Sequence, residues 1–318
     1  MKKGISYFGV RNPEWVAKDV ELIRNCGIDY IVHTLSEADM EFYLETMREI
    51  VQITKCNGLE VYVDPWGVAR IFGGEAYSKF LLVRDDARLI TREGKKGYGA
   101  CMNNADTLSF MKTWVDSAEF VGADYIFWDE PHFSPLTNKD GCFCEICKTK
   151  FYEMFGHPME KAGDLDLRKF RGITKIEFLR KLMDYASSKN IKNALCLLPH
   201  DEDLDWESFA AIESLHVFGT DPYWILKREG FDEWMEEKVQ KVAQLSKKFG
   251  KESEIWIQNF KVKKSDEYLI EKVAETAKSY EIDRISAWSF RGTFYMSYIR
   301  CEDPKSVWNT LLKAYSKI

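Results

Sequence analysis

Residues 123–133 read ADYIFWDEPHF, a hydrophobic run from Tyr125 to Trp128 that passes without a spacer into two carboxylates and a proline. A polar residue, Asp124, precedes the run, and Gly122 before it closes an amphipathic segment, Phe110 to Val121, in the manner of a helix C-terminus. The order is helix, stop, short buried strand, acids. Either the strand simply surfaces at Asp129, or Asp129 and Glu130 stand at the mouth of a pocket.

The same unit recurs along the chain. Ile5 to Val10 form a first strand, followed by Asn12-Pro13-Glu14, which supplies a helix cap, a proline for the first turn and an acid for the helix dipole. Tyr30 to Val32 precede the helical spacing of Met40, Leu44, Met47, Ile50 and Val51, which Gly58 stops. Leu59 to Val63 make a third strand, and after the fourth come Ala194 to Leu198, Val217 to Gly219, Ile255 to Ile257 and Ile285 to Trp288, with helices between and a last helix begun by Asp303-Pro304. Eight alternating units imply a parallel sheet with right-handed crossovers, closed into a (β/α)8 TIM barrel. The expectation is α/β, one barrel over 1–318, with an insertion at 132–165 after strand four. A doubly wound dinucleotide fold is disfavoured: no strand-to-helix turn carries its glycine fingerprint, and Gly94-Lys95-Lys96-Gly97-Tyr98-Gly99 lacks P-loop spacing.

Composition narrows the function. The chain has 318 residues, 45% hydrophobic and 30% charged, which suits a folded enzyme. A net charge of -6 gives no basic stripe for nucleic acid. No apolar run reaches membrane-spanning length and no secretory h-region follows Met1, so a cytoplasmic protein is expected. There the eight cysteines are free or metal-bound rather than paired.

In a barrel, functional residues sit where strands run into the following loops. Those positions hold His33; Asp64 and Trp66; Trp128, Asp129, Glu130 and His132; His200 and Asp201; Asp221, Tyr223 and Trp224; Gln258 and Asn259; Trp288, Ser289 and Arg291. The opposite strand ends carry ordinary polar residues: Asp29, Asp124, Asn193, Glu254 and Asp283. A single tryptophan is more often core than platform, and a lone strand-end acid often only caps a helix. Four strands ending in tryptophan plus a polar group fit a carbohydrate site, where indole faces pack on sugar rings and acids handle hydroxyls and protons.

Cys142-x-Cys144-x-x-Cys147 is the sharpest signal, three thiols within a short loop after strand four. Such a set suits structural zinc, which takes four ligands. Cys101, in the long loop after strand three, is the expected fourth ligand and would staple two long loops together; His132 and His157 compete with it. An iron–sulfur cluster is disfavoured because nothing else indicates redox work.

The order PWG, FGGEAYSKF, REGKKGYGACMNN, FWDEPHF and CFCEICKTKF, across roughly 59–155, resembles the family 42 glycoside hydrolases, β-galactosidase-like barrels. The resemblance implies zinc on Cys101, Cys142, Cys144 and Cys147, and Glu130 as proton donor, with Asp129 standing where the family has asparagine. It implies a carbohydrate substrate and leaves a homo-oligomer open. The family's second glutamate ends strand seven, whereas IWIQNF offers Gln258 there, so Asp221 is taken as the partner carboxylate, with Asp64 and Glu75 behind it. Asp129 beside Glu130 is expected to raise the glutamate's pKa by like-charge repulsion. The substrate-binding set is then Asp64, Trp66, His33, Trp128, His200, Tyr223, Trp224, Gln258, Asn259, Trp288 and Arg291.

Two other readings compete with a glycosidase. A metal-dependent sugar isomerase would draw ligands from His33, Glu130, His132, His200 and Asp221, and requires them to converge. A barrel that binds carbohydrate without turnover is the other, made credible by Gln258.

Overall fold

The structure is a computed structural model that describes residues 1–74, 76–133, 141–201 and 205–318. Its strands and helices run in chain order as β1 (Lys2–Tyr7), α1 (Pro13–Asn25), β2 (Tyr30–Thr34), α2 (Glu37–Phe42), α3 (Leu44–Cys56), β3 (Glu60–Asp64), α4 (Phe80–Val83), β4 (Arg88–Ile90), β5 (Lys96–Ala100), α5 (Ala105–Val121) and β6 (Tyr125–Asp129). The second half continues with α6 (Glu145–Phe155), α7 (Asp164–Ser188), β7 (Lys192–Leu197), α8 (Trp206–Ala210), β8 (Val217–Thr220), α9 (Phe231–Phe249), β9 (Glu252–Gln258), α10 (Tyr268–Ser279), β10 (Arg284–Trp288) and α11 (Pro304–Ser316). Strands β1-β10-β9-β8-β7-β6-β3-β2 close a barrel, every pair parallel, so β6 is the barrel's fourth strand and β8 its sixth.

Local sequence explains the element ends. Asn12 accepts hydrogen bonds from the backbone of Glu14 and Trp15 ahead of α1, Asp303 caps α11 through Ser306, and Gly122 closes α5 at φ +85°. Three boundaries differ from the sequence reading. β1 begins at Lys2 and ends at Tyr7, because the barrel floor is charged and the hydrophobic run marks only the upper part of the strand. The spacing from Met40 to Val51 covers two helices, separated at Tyr43. The segment 65–106 holds an antiparallel β4–β5 hairpin outside the barrel, which accounts for the glycine-rich stretch at 94–99.

Alternation along each strand sorts side chains between the barrel lumen and the helical shell. Tyr30, Val32, Tyr62, Tyr125, Phe127, Ala194, Cys196, Val217 and Trp256 form the inner cluster, separate from the larger core between strands and helices. At the floor, Arg284 is 1% exposed, pairs with Glu60 and Glu252, and lies over the rings of Tyr30, Tyr62 and Tyr125. Glu254 accepts from Tyr30 at 2.5 Å, so the lower lumen is filled and braced. At the C-terminal ends of the strands the lumen opens into a cavity. Among the described residues no helix is long and apolar enough to cross a membrane.

Candidate active site

The inward alternation that buries Tyr125 and Phe127 brings Asp129 to the lumen at the top of β6, and Asp221 arrives the same way just beyond β8. Here the chain lines a cavity of about 260 Å³ with Asp129, Glu130, Asp221, Tyr223, Trp256 and Trp288 on its wall, together with Phe127 and Phe260. Glu130 and Asp221 line this cavity together, close enough for their carboxyls to act on one another. Asp221 is 2% exposed; burial, then the adjoining carboxylates of Glu130 and Asp129, push its carboxyl well above the ordinary range. These surroundings favour the protonated form of Asp221. The carboxyl raised in this acid cluster is that of Asp221, with burial the first cause.

Aromatic residues shape the rest of the wall. Trp288 stacks on Phe8 with ring centres 4.8 Å apart and planes 10° apart, and Trp66 leans on both. Tyr223 meets Phe260 edge-on at 5.2 Å, and Phe127 packs against Trp256 at 4.7 Å. Gly73 approaches the acids closely: a Cβ there would lie 2.3 Å from an Asp129 carboxylate oxygen and 3.5 Å from one of Glu130. Its backbone N–H donates to the Asp129 carbonyl at 3.0 Å.

Several expected site residues lie elsewhere. Trp128 and His33 fall on the outward phase of their strands: Trp128 packs against Trp114 and Phe72 and donates to Asn193 at 2.9 Å, and His33 bonds Thr54 of α3 at 2.9 Å. Burial and the nearby Arg11 lower the His33 pKa to about 3, so this ring is a neutral core group. Trp224 packs on Phe231 at the start of α9. Arg291 lies over the Phe290 ring and lines a different cleft beside Trp308, while His200 is exposed away from the cavity. Gln258 accepts from the Ile225 backbone at 2.9 Å and donates to the Phe260 carbonyl at 3.0 Å, and Asn259 donates to the Ser289 carbonyl at 2.7 Å. Both brace cavity loops instead of facing the cavity. Asp64 is buried at the end of β3 outside the cavity lining, and Glu75 lies outside the described residues.

Strand interiors supplied what the reading of strand ends missed. Phe127 lies two residues before Asp129 on the same inward phase, so a period of two counted back from that acid would have found it, and Trp256 holds the matching inward position in the interior of β9. Leu198, Ile225, Leu226 and Ile299 come from loops and carry no such signal.

The cysteine site lies to one side. Cys101, Cys142, Cys144 and Cys147 have their sulfurs within 4.8 Å of one another, a group able to hold a metal ion. Cys101 Sγ is 3.5 Å from that of Cys147 and 3.7 Å from that of Cys144. A tetrahedral ion with ligands at about 2.3 Å requires sulfur separations of about 3.8 Å, so the thiols fit. Backbone and amide donors, Ile90 N–H to Cys142 at 3.4 Å and Asn103 Nδ2 to Cys147 at 3.2 Å, point at sulfurs, as they would at thiolates. The fourth position belongs to Cys101: His157 pairs with Asp166 at 3.2 Å, and His132 contacts the Glu130 carbonyl. Among the described residues this is the one group of three or more His, Cys, Asp and Glu side chains placed to share an ion.

A larger cleft of about 780 Å³ opens between α5, α6 and α7, but it lies away from the strand ends, and its Lys150 is engaged with Glu177 and Asn103. The smaller cavity holds the carboxyl pair.

No family model matches the sequence, and no curated protein matches it either. Solved structures do match in fold. A β-galactosidase from the psychrophilic Marinomonas ef1 superposes with a TM-score of 0.71 at 12% identity, covering 100% of this chain and 59% of that one, so this chain spans a little over half its length. An endo-1,4-β-mannanase from Rhizomucor miehei gives 0.67 at 10% identity, covering 100% and 95%, and a D-psicose 3-epimerase gives 0.52 at 9%, covering 100% and 98%. At these identities the likeness is one of fold, the (β/α)8 barrel.

Proposed function

We propose that the chain is a glycoside hydrolase, with Glu130 and Asp221 as its catalytic carboxyls, Asp129 as their electrostatic neighbour, and Trp288 and Tyr223 as walls for a sugar ring. The observation that carries this reading is the pair of carboxyls, Glu130 and the buried Asp221, on the wall of one aromatic cavity at the barrel mouth, with the Asp221 carboxyl pushed up by burial. Glycosidases among the solved structures of like fold agree with it, and the family 42 resemblance points the same way.

A glycosidase works with its two carboxyls on either side of the scissile bond, so an incoming sugar must seat between Glu130 and Asp221. In the proposed step the proton passes from Asp221 to Glu130 and on to the glycosidic oxygen. The bond from that oxygen to the anomeric carbon breaks, its electron pair staying on the oxygen. Asp221, now ionised, faces the positive charge developing on the sugar, which offsets the burial and the repulsion that favoured its protonated form. Water then completes the sugar and returns a proton to the pair.

The cysteine site is read as structural zinc, on the four-thiol set and the fit of the sulfur separations. Zinc there would tie the β5 end to the loop before α6 and take no part in bond cleavage. Turnover of a panel of aryl and natural glycosides by wild type and Glu130→Gln tests the assignment. Loss of about 10²-fold or more in the variant is expected for a missing general acid; a variant as active as wild type would sink it.

A further inference from the structure

Glu130 occupies the left-handed region, φ +42°, which a non-glycine residue keeps only where its surroundings hold it. Three contacts hold this turn. The Glu130 N–H donates to the Cys196 carbonyl at 3.0 Å, prolonging the β6–β7 ladder, and the His132 N–H donates to the Ile71 carbonyl at 2.9 Å. The third is the His132 ring, whose Nδ1 lies 2.6 Å from the Glu130 carbonyl oxygen. Between them Pro131 has no N–H to give, so the imidazole supplies the donor that the backbone lacks.

A carbonyl oxygen only accepts, which fixes the proton on Nδ1. The ring's surroundings agree. Burial lowers the pKa of His132; the hydrogen bond to the Glu130 carbonyl and the Glu130 charge oppose it, the cations Lys175 of α7 and Arg70 add to it, and the balance is downward, so the ring stays neutral in this one tautomer. Lys175 is 1% exposed, paired with Asp201 at 2.5 Å and set over Phe133, so the cation is fixed in place.

We propose that His132 is a positioning residue for Glu130: its Nδ1–H holds the left-handed turn that aims the glutamate's carboxyl at Asp221. The inference rests on Glu130 being a working carboxyl, and its consequence is geometric, so it is tested with and without turnover. His132→Asn places an amide N–H near the Nδ1 position, while His132→Leu fills similar space without a donor. In crystal structures of the three proteins, Glu130 keeps positive φ and its contact with Asp221 in wild type and His132→Asn, and leaves both in His132→Leu. On an aryl glycoside, His132→Leu loses about a hundredfold in kcat with KM little changed, as expected for a misplaced group, and His132→Asn recovers most of it. A merely structural histidine would lower melting temperature equally in both variants, with no rescue of kcat. Glu130 still at positive φ and against Asp221 in His132→Leu overturns the proposal. If wild type cleaves no glycoside, the hydrolase reading fails and the crystallographic comparison still decides the role of His132.

Discussion

A metal held at the cysteine site should contribute a calculable share of the protein's stability, lost when the ion is removed. The ion would join Cys101 to Cys142, Cys144 and Cys147, closing a loop of about 40 residues, and in the chain-entropy treatment of cross-links such a loop contributes about 4 kcal/mol. Unfolding entropy near 2.1 cal/mol/K per residue gives a chain of 318 residues about 0.67 kcal/mol/K, so the loss appears as a fall in Tm of about 6 °C. The perturbations are Cys101→Ser and treatment of wild type with a strong chelator, read by calorimetry, with metal content measured by elemental analysis. Both should lower Tm by a similar amount, the two effects should not add, and readdition of zinc should restore only the chelated wild type. Cys56→Ser, at an exposed thiol outside the site, should change neither quantity. Protein purified without bound metal, and with the Tm of Cys101→Ser, would refute the reasoning.

Other consequences are local. Gly73→Ala sets a methyl 2.3 Å from the Asp129 carboxylate, so it should destabilise by about 1 to 3 kcal/mol in denaturant titration and abolish turnover together. Asp221 has its folded pKa raised above the unfolded value of about 3.9, so its contribution is fully present below that value and is lost as pH rises through the folded pKa. Asp221→Asn should therefore gain stability relative to wild type as pH climbs, and a difference in Tm that stays flat with pH would contradict the buried proton. Arg284→Met removes the cation from the barrel floor while Glu60 and Glu252, 32% and 47% exposed, can still be hydrated, so a loss of about 2 to 3 kcal/mol is expected in denaturant titration, with kcat unchanged.

The barrel was legible because each of its strands is a short apolar run between a helix stop and a polar loop, and that punctuation survives without any tertiary information. Asp129, Glu130, Asp221, Tyr223 and Trp288 were legible for the same reason: they follow those runs, and the barrel turns strand ends into one rim. What was lost depended on phase. Trp128 and His33 occupy strand positions as suggestive as Asp129, yet a one-residue offset sends them into the helical shell. Gln258 drew notice for its chemistry, while its amide is committed to the Ile225 and Phe260 backbone, a contact between loops far apart in sequence. The β4–β5 hairpin was hidden because its strands are short, polar and rich in glycine. The raised carboxyl of Asp221 depends on burial, which only the assembled lumen supplies.

The most direct test of the account is the leaving-group dependence of hydrolysis in Glu130→Gln, measured across aryl glycosides of graded phenol acidity. If Glu130 delivers the proton, the variant loses about 10² to 10⁴-fold on poor leaving groups and approaches wild type on the most acidic phenols, which depart without protonation. A variant slowed equally across the whole series, or not slowed at all, would contradict acid catalysis by Glu130.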